Sequence, residues 1–284
     1  MPETIRPAPN YPVSLACVRP RLLYVTNFGY PARGRDYPTE DIMLTGRLRD
    51  EFDLALCHPL DTTALMDSFD AVVVRNSGPV LGYQTAYDEF RRRAADRPVY
   101  NPLTGKADMA GKQYLIDLSR AGYPVIPTID ARADVDRLPT GTAYIVKPKW
   151  GSDSIGLVVT EDLEDVAFDN VLVQPLIDFE YEVSFYYVDG EYQYALYAPD
   201  KTQRWELAPY QPSDEDLAFA ERFVDWNALP HGIERVDACR TKGGELLLVE
   251  LEDLNPFLSL DRVEPDTRDR FVAAFAAALH RLVS

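Results

Sequence analysis

Lysine is scarce in this 284-residue chain: six residues against 23 arginines, while Asp and Glu together number 46 and set a formal charge of −17. So acidic a chain argues against a nucleic-acid backbone binder, which needs a surplus of clustered cations. Histidine and cysteine are equally sparse, with three of each. His58, His231 and His280 are too scattered for a zinc cluster. Cys17, Cys57 and Cys239 are odd in number and far apart, which excludes a disulfide framework and a CxxC metal site and fits a reducing cytoplasm. No apolar run reaches membrane length, and the opening segment, with five prolines in its first 20 residues, reads as neither signal peptide nor span. Also missing are a GxGxxG after the first strand and a GxSxG elbow, against a dinucleotide-binding or hydrolase reading. Gly105–Lys112 imitates a phosphate loop, but it has five residues between its glycines and Gln113 where Ser or Thr would hold magnesium.

What is present is a 46% apolar chain, long enough for one large domain or two to three subdomains around a real core. Arg21–Asn27 reads as a buried strand, residues 39–52 as a helix, Asp53–Cys57 as a strand and Asp61–Ser68 as a helix. Ala71–Val74 continues as a strand, about 83–95 as a helix and Pro98–Asn101 as extended chain. Strands alternating with helices predict a parallel sheet covered on both faces, with ligands at the carboxyl ends of its strands, here Asn27–Tyr30 and Arg75–Ser77. A helix over Lys112–Ala121 follows, and then the pattern turns antiparallel. Tyr144–Lys147 and Gly156–Val159 flank a Gly/Ser loop, Glu182–Val188 and Tyr192–Tyr197 flank Asp189-Gly190, and Arg235–Cys239 and Glu245–Leu251 flank Gly243-Gly244. The fold class is therefore α/β followed by α+β. The chain closes in an amphipathic helix with Phe271, Phe275, Ala278, Leu279 and Leu282 on one face.

Three segments carry chemistry. Lys147 leaves a strand just before a loop of small residues, where backbone N–H groups of Gly151, Ser152 and Ser154 suit a phosphate that the lysine neutralises. Asp237 lies across the Gly243-Gly244 turn from Glu250 and Glu252, and strand periodicity puts those two glutamates on one face, in line with Leu246 and Leu248. Carboxylates on an apolar face need a cation or a basic partner, and an all-oxygen set suits Mg²⁺. Val171–Ile177 is an apolar strand whose backbone suits an adenine slot, and Glu182 beyond it suits ribose hydroxyls.

In this order, Met109-Ala-Gly-Lys112, Tyr144-Ile-Val-Lys147-Pro, the Gly/Ser loop, Gln174-Pro-Leu-Ile177 with Glu182, Arg235-Val-Asp237 and Glu250-Leu-Glu252-Asp-Leu-Asn255-Pro256 resemble the ATP-grasp superfamily. The likeness is strongest to its carboxylate-amine ligases, such as D-alanine:D-alanine ligase, glutathione synthetase and bacterial dipeptide ligases. It covers roughly residues 100–262 by motif and implies an N-terminal α/β substrate-side domain (1–102), a subdomain with a phosphate lid (103–177) and a C-terminal subdomain with the metal site (178–284).

The resemblance further implies ATP and Mg²⁺ as cofactors. Lys112 and Lys147 would contact phosphates, Gly151, Ser152 and Ser154 belong to the lid, Gln174, Pro175, Leu176 and Ile177 form the adenine hinge, and Glu182 takes the ribose. Asp237, Glu252 and Asn255 are the metal ligands it implies, with Glu250 and Asp253 as alternatives to Glu252, and Arg235 stabilises the reacting carboxyl oxygens. Lys201 and Arg204 are candidates for the γ-phosphate or a substrate carboxylate; Asn27, Tyr30, Arg75, Asn76 and Arg262 are candidates for the substrate. The expected reaction joins two small amino-acid-like molecules through an acyl phosphate, with no nucleic-acid or membrane partner and a homodimer allowed. The alternatives are a peptide or carrier-protein acceptor, or a nucleotide-binding regulator without catalysis.

Overall fold

The computed structural model of the protein describes residues 19–29, 36–76, 80–149 and 156–284. Strand β1 (Arg21–Thr26) is a β-branched and aromatic run in which Leu22 through Thr26 are buried on both faces, as a central parallel strand requires. Helix α1 (Tyr37–Leu48) begins where the Asp36 side chain accepts the Thr39 N–H. Strand β2 (Asp53–Cys57) and a single helical turn, α2 (Thr62–Leu65), follow, the latter shorter than the helix predicted over Asp61–Ser68 and flanked by 3₁₀ turns. Then come β3 (Ala71–Asn76), α3 (Val80–Arg93) and β4 (Val99–Tyr100). The four strands form one parallel sheet in the order β2-β1-β3-β4. One face, with Leu22, Tyr24 and Val73, packs on α1; the other, with Leu23, Val72 and Val74, packs on Tyr87 and Phe90 of α3.

Helix α4 (Gln113–Arg120) leads to β5 (Tyr144–Pro148), β6 (Val158–Thr160) and β7 (Val171–Pro175), a three-stranded antiparallel sheet in the order β6-β5-β7. Next are β8 (Phe179–Val188), β9 (Glu191–Ala198) and β10 (Ala208–Tyr210), then α5 (Asp214–Asn227), β11 (Ile233–Thr241), β12 (Leu246–Glu252) and α6 (Pro265–Val283). Their five strands form a second antiparallel sheet, β10-β9-β8-β11-β12. One face carries α4 and α5, through Leu115, Ile116, Phe219 and Phe223. The other shares a core with the parallel sheet: Tyr186, Tyr194 and Leu196 pack with Phe271 and Phe275 of α6 and with Leu22 and Tyr24.

Two sequence readings are corrected. Helix α5 and strand β10 were not among the anticipated elements, although Ser213 and Asp216 form a reciprocal capping box ahead of Phe219, Ala220, Phe223 and Val224. The face assigned to the acidic strand also changes. Asp237 of β11 pairs with Glu250, yet the next residue, Ala238, pairs with Leu248, so Val249 is an extra residue in the ladder. Such a bulge breaks the two-residue period. Leu246, Leu248 and Leu251 point into the core, while Val249, Glu250 and Glu252 line a cavity. The two glutamates do share a face, but it is the face opposite Leu246 and Leu248.

Candidate active site

The cavity has a volume of about 710 Å³ and lies between the two antiparallel sheets, closed on one side by α1. Its walls come from the ends of β5 and β7, the faces of β8, β11 and β12, the first turn of α1 and the 254–262 segment. Into its wall the fold brings Lys112, Lys147, Lys149, Arg204, Arg235 and Arg262, six cations of a protein with net charge −17.

The densest chemistry is on β11 and β12. One carboxylate oxygen from each of Asp237, Glu250 and Glu252 lies within 4.8 Å of the others, a spacing a single ion can bridge. Ser184 of β8 donates to Asp237 at 2.6 Å. Arg235, almost wholly buried, donates Nε and Nη2 to Asp237 at 2.9 and 2.8 Å, Nη2 to Glu252 at 2.6 Å and Nη1 to the Phe257 carbonyl at 3.1 Å. Burial opposes its charge, but Asp237 and Glu252 outweigh it and hold the guanidinium pKa well above the ordinary value. Asn255 faces the same cavity, and its side-chain Oδ1 is buried without a hydrogen-bond partner among the described residues. Three clustered carboxylates, with an orphaned carbonyl oxygen in the same cavity, are donors that fit a hard divalent cation such as Mg²⁺.

Asp253, the other alternative, is excluded from the cavity. Its carboxylate is fully buried and accepts the backbone N–H groups of Ala107 and Met109 at 3.0 and 2.9 Å. A Cβ on Gly105 would overlap that carboxylate. The glycine-bounded segment that imitates a phosphate loop therefore does wrap an anion, but the anion belongs to the chain itself. This fixes Asp108 and Lys112 on the cavity wall.

Lys112 Nζ donates to Glu250 Oε1 at 2.5 Å. Burial disfavours both charges, yet Glu250 and Asp108 raise the lysine pKa, and Lys112 with Lys147 brings that of Glu250 down to about 2. Asp108, which the sequence reading did not select, is pushed well above the usual carboxyl range by burial and by Glu250. Lys147 has no hydrogen bond or ion pair among the described residues. Burial, then the neighbouring Lys112 charge, lowers its pKa to about 8.

Gln174, Pro175, Leu176 and Ile177 line the far end. Gln174 is anchored by its Nε2 to Thr128 Oγ1 at 2.8 Å, and the Leu176 N–H is taken by the Ala143 carbonyl at 2.7 Å. Glu182 also lines the cavity, held by a bidentate pair from Arg204 at 2.8 and 2.9 Å. Burial raises the Glu182 pKa against the pull of Arg204.

Other selected residues fall elsewhere. Lys201 is not among the cavity residues; it bonds Asp178 at 2.9 Å and the Phe179 carbonyl at 3.2 Å, where β7 passes into β8. Arg75 is buried behind the wall, where it pairs with Glu40 and Asp41 and donates to the Pro256 carbonyl at 2.8 Å. Asn27, also off the wall, donates to Tyr83 at 2.7 Å. Tyr30, Gly151, Ser152 and Ser154 lie outside the described residues, as does the side chain of Asn76. Conversely, Tyr37 and Glu40 of α1, Trp205 and Asp261 face the cavity and were not singled out in the sequence, where nothing distinguishes them from ordinary helix and loop residues.

The sequence matches no protein-family model and no curated protein. Solved structures do resemble it. The D-cycloserine synthetase DcsG superposes with a TM-score of 0.70 at 21% identity, over 93% of this chain and 100% of that one. D-alanine–D-alanine ligase from Bacillus anthracis, complexed with ATP, gives 0.63 at 15% identity, over 93% and 96%. The ATP-grasp ligase PsnB, complexed with a minimal precursor, Mg and ADP, gives 0.60 at 17% identity, over 92% and 98%.

Proposed function

We propose that this chain, whose fold is that of the ATP-grasp ligases, is an ATP-dependent carboxylate-amine ligase joining two small amino-acid-like substrates. The observation that carries this reading is the convergence, in one cavity, of Lys112 and Lys147 with the Asp237–Glu250–Glu252 set and the unpartnered Asn255 Oδ1. In this reading residues 1–102 form the substrate-side domain, 103–177 carry the phosphate lid and 178–284 the metal site. A substrate carboxylate oxygen attacks the γ-phosphorus of ATP, the bond to the β-phosphate oxygen breaks, and ADP leaves. The amine of the second substrate then attacks the acyl carbon, gives up a proton and displaces phosphate, leaving an amide.

The first step brings anions together, so positioned cations do most of the work. Lys147 and Lys112 take the phosphates, Gln174 to Ile177 the adenine and Glu182 the ribose. Asp237, Glu252 and Asn255, with Glu250 beside them, would hold Mg²⁺, which when bound neutralises phosphate charge and polarises the phosphoryl group. Arg235 has five N–H donors, and four bonds engage it. One Nη1 hydrogen is left to meet the oxyanion that develops on the acyl carbon.

The test is ADP release across single and paired amino acids, with mass spectrometry of the products. Glu252→Ala and Arg235→Ala should each lower substrate-dependent ADP formation by about 100-fold or more. Arg92→Ala, an exposed helix residue remote from the cavity, should leave it unchanged. Full turnover by Glu252→Ala would overturn the metal assignment. Nucleotide binding with no turnover on any free pair would favour a peptide acceptor, the class bound by PsnB, or a regulator.

A further inference from the structure

Each of the three carboxylates in the cavity wall already has a cation of the protein on it. Arg235 bridges Asp237 and Glu252, and Lys112 sits on Glu250. A divalent ion approaching the nucleotide-free protein would meet a set whose charge is largely spent. The two built-in cations are not held alike. Arg235 is tied by four hydrogen bonds to two carboxylates and the Phe257 carbonyl, and its side chain is 4% exposed. Its removal would take the shared counter-ion from two part-buried carboxylates. Lys112 is held by a single bond to Glu250 from a long, flexible stem, and both partners reach the cavity, with side chains 11% and 27% exposed. A polyphosphate entering beside Lys147, whose ammonium has no partner among the described residues, would offer Lys112 more negative charge than one carboxylate does.

Resting on the reading of the cavity as an ATP and metal site, we propose that Lys112 is an exchangeable counter-ion. It neutralises Glu250 in the free protein and moves to the nucleotide's phosphates, which frees Glu250 and makes tight divalent-metal binding depend on nucleotide. Lys112 thus couples two ligands by choosing between them, and the coupling is reciprocal: metal on the carboxylates releases Lys112 for phosphate.

The probe is Mn²⁺, its free concentration read by electron paramagnetic resonance, with no turnover involved. Without nucleotide, Lys112→Met should bind Mn²⁺ at least about tenfold more tightly than wild type. Lys112→Arg, which keeps a cation on Glu250, should stay as weak as wild type. Lys147→Met removes a cation from the same cavity but none from a carboxylate, and should tighten Mn²⁺ binding much less than Lys112→Met. Equal Mn²⁺ affinity in wild type and Lys112→Met, or equal tightening by Lys147→Met, would overturn the exchange.

If Lys112→Met does not fold, wild type carries the test: ADP should tighten Mn²⁺ binding at least about tenfold beyond the MnADP formed in solution, and no change would overturn the proposal. Calorimetry of ADP with Mg²⁺ separates the two levels. Absence of ADP binding to wild type overturns the nucleotide reading. Normal ADP binding with Mn²⁺ affinity indifferent to nucleotide and to Lys112 overturns only the exchange.

Discussion

At Lys147, burial and a neighbouring like charge set the ammonium pKa at about 8, two or more units below an ordinary lysine. Contact with phosphate favours the charged form, so nucleotide binding must draw a proton onto this residue wherever the free protein has lost it. The sign follows: affinity for ADP is full below pH 8 and falls as pH rises through and beyond it, by up to about tenfold per pH unit. Titrations of ADP binding from pH 7 to 9.5 should show this decline, and Lys147→Met should bind weakly with a flat profile over the same range. A wild-type affinity constant across that range would remove Lys147 from the phosphates. The scarcity of lysine made Lys112 and Lys147 conspicuous in the sequence, because few lysines had to be sorted. Arg75 and Lys201 show where that logic stops. Each sits at a strand end or loop, but such positions have two sides, and only packing sends Arg75 behind the wall and Lys201 onto Asp178, off the cavity.

Among the elements, β12 decides the site. Its apolar run, Leu246 to Val249, predicts a buried strand, and the two-residue period puts Glu250 and Glu252 together. It does not reveal the bulge at Val249, because a bulge is settled by how the partner strand's hydrogen bonds fall and leaves no residue-type signature here. The consequence is measurable in stability. Leu251 is fully buried in the core, so Leu251→Ala should cost about 2–5 kcal/mol in denaturant unfolding. Val249 lines the cavity, and Val249→Ala should cost under about 1 kcal/mol. The reverse ranking would mean a regular strand with the glutamates in the core. Helix α5 is the opposite case: its capping box and apolar spacing stand in the sequence but were not among the elements anticipated from it, and its place against the five-stranded sheet gives those residues their use.

At the scale of the whole molecule, the acid excess and the proposed anionic substrate are reconciled locally. A charge of −17 cannot draw ATP inward, so binding in the proposed reading rests on cations gathered on the cavity wall from β5 and its end, β11, the turn before α4, and the loops around Arg204 and Arg262. A ligand spanning them would link the two antiparallel sheets. At 100 times its dissociation constant it adds about 2.7 kcal/mol to folding stability. For a chain of this size that corresponds to a rise in Tm of about 5 °C with ADP and Mg²⁺, read by differential scanning calorimetry. Lys147→Met should abolish most of the rise.

By itself the sequence determined the alternation of strands and helices, the order of the cation- and carboxylate-bearing segments, and hence the fold, because periodicity, turns and buried apolar runs are local properties of the chain. Tertiary structure alone decided which acidic residue serves the chain and which faces the cavity. Asp253 and Glu252 are neighbours of the same chemistry; one is buried against the N–H groups of Ala107 and Met109, and the other faces Arg235 across the ladder. That difference depends on groups more than a hundred residues away for Asp253 and on a single extra residue in a strand for the glutamates, and neither is a local property.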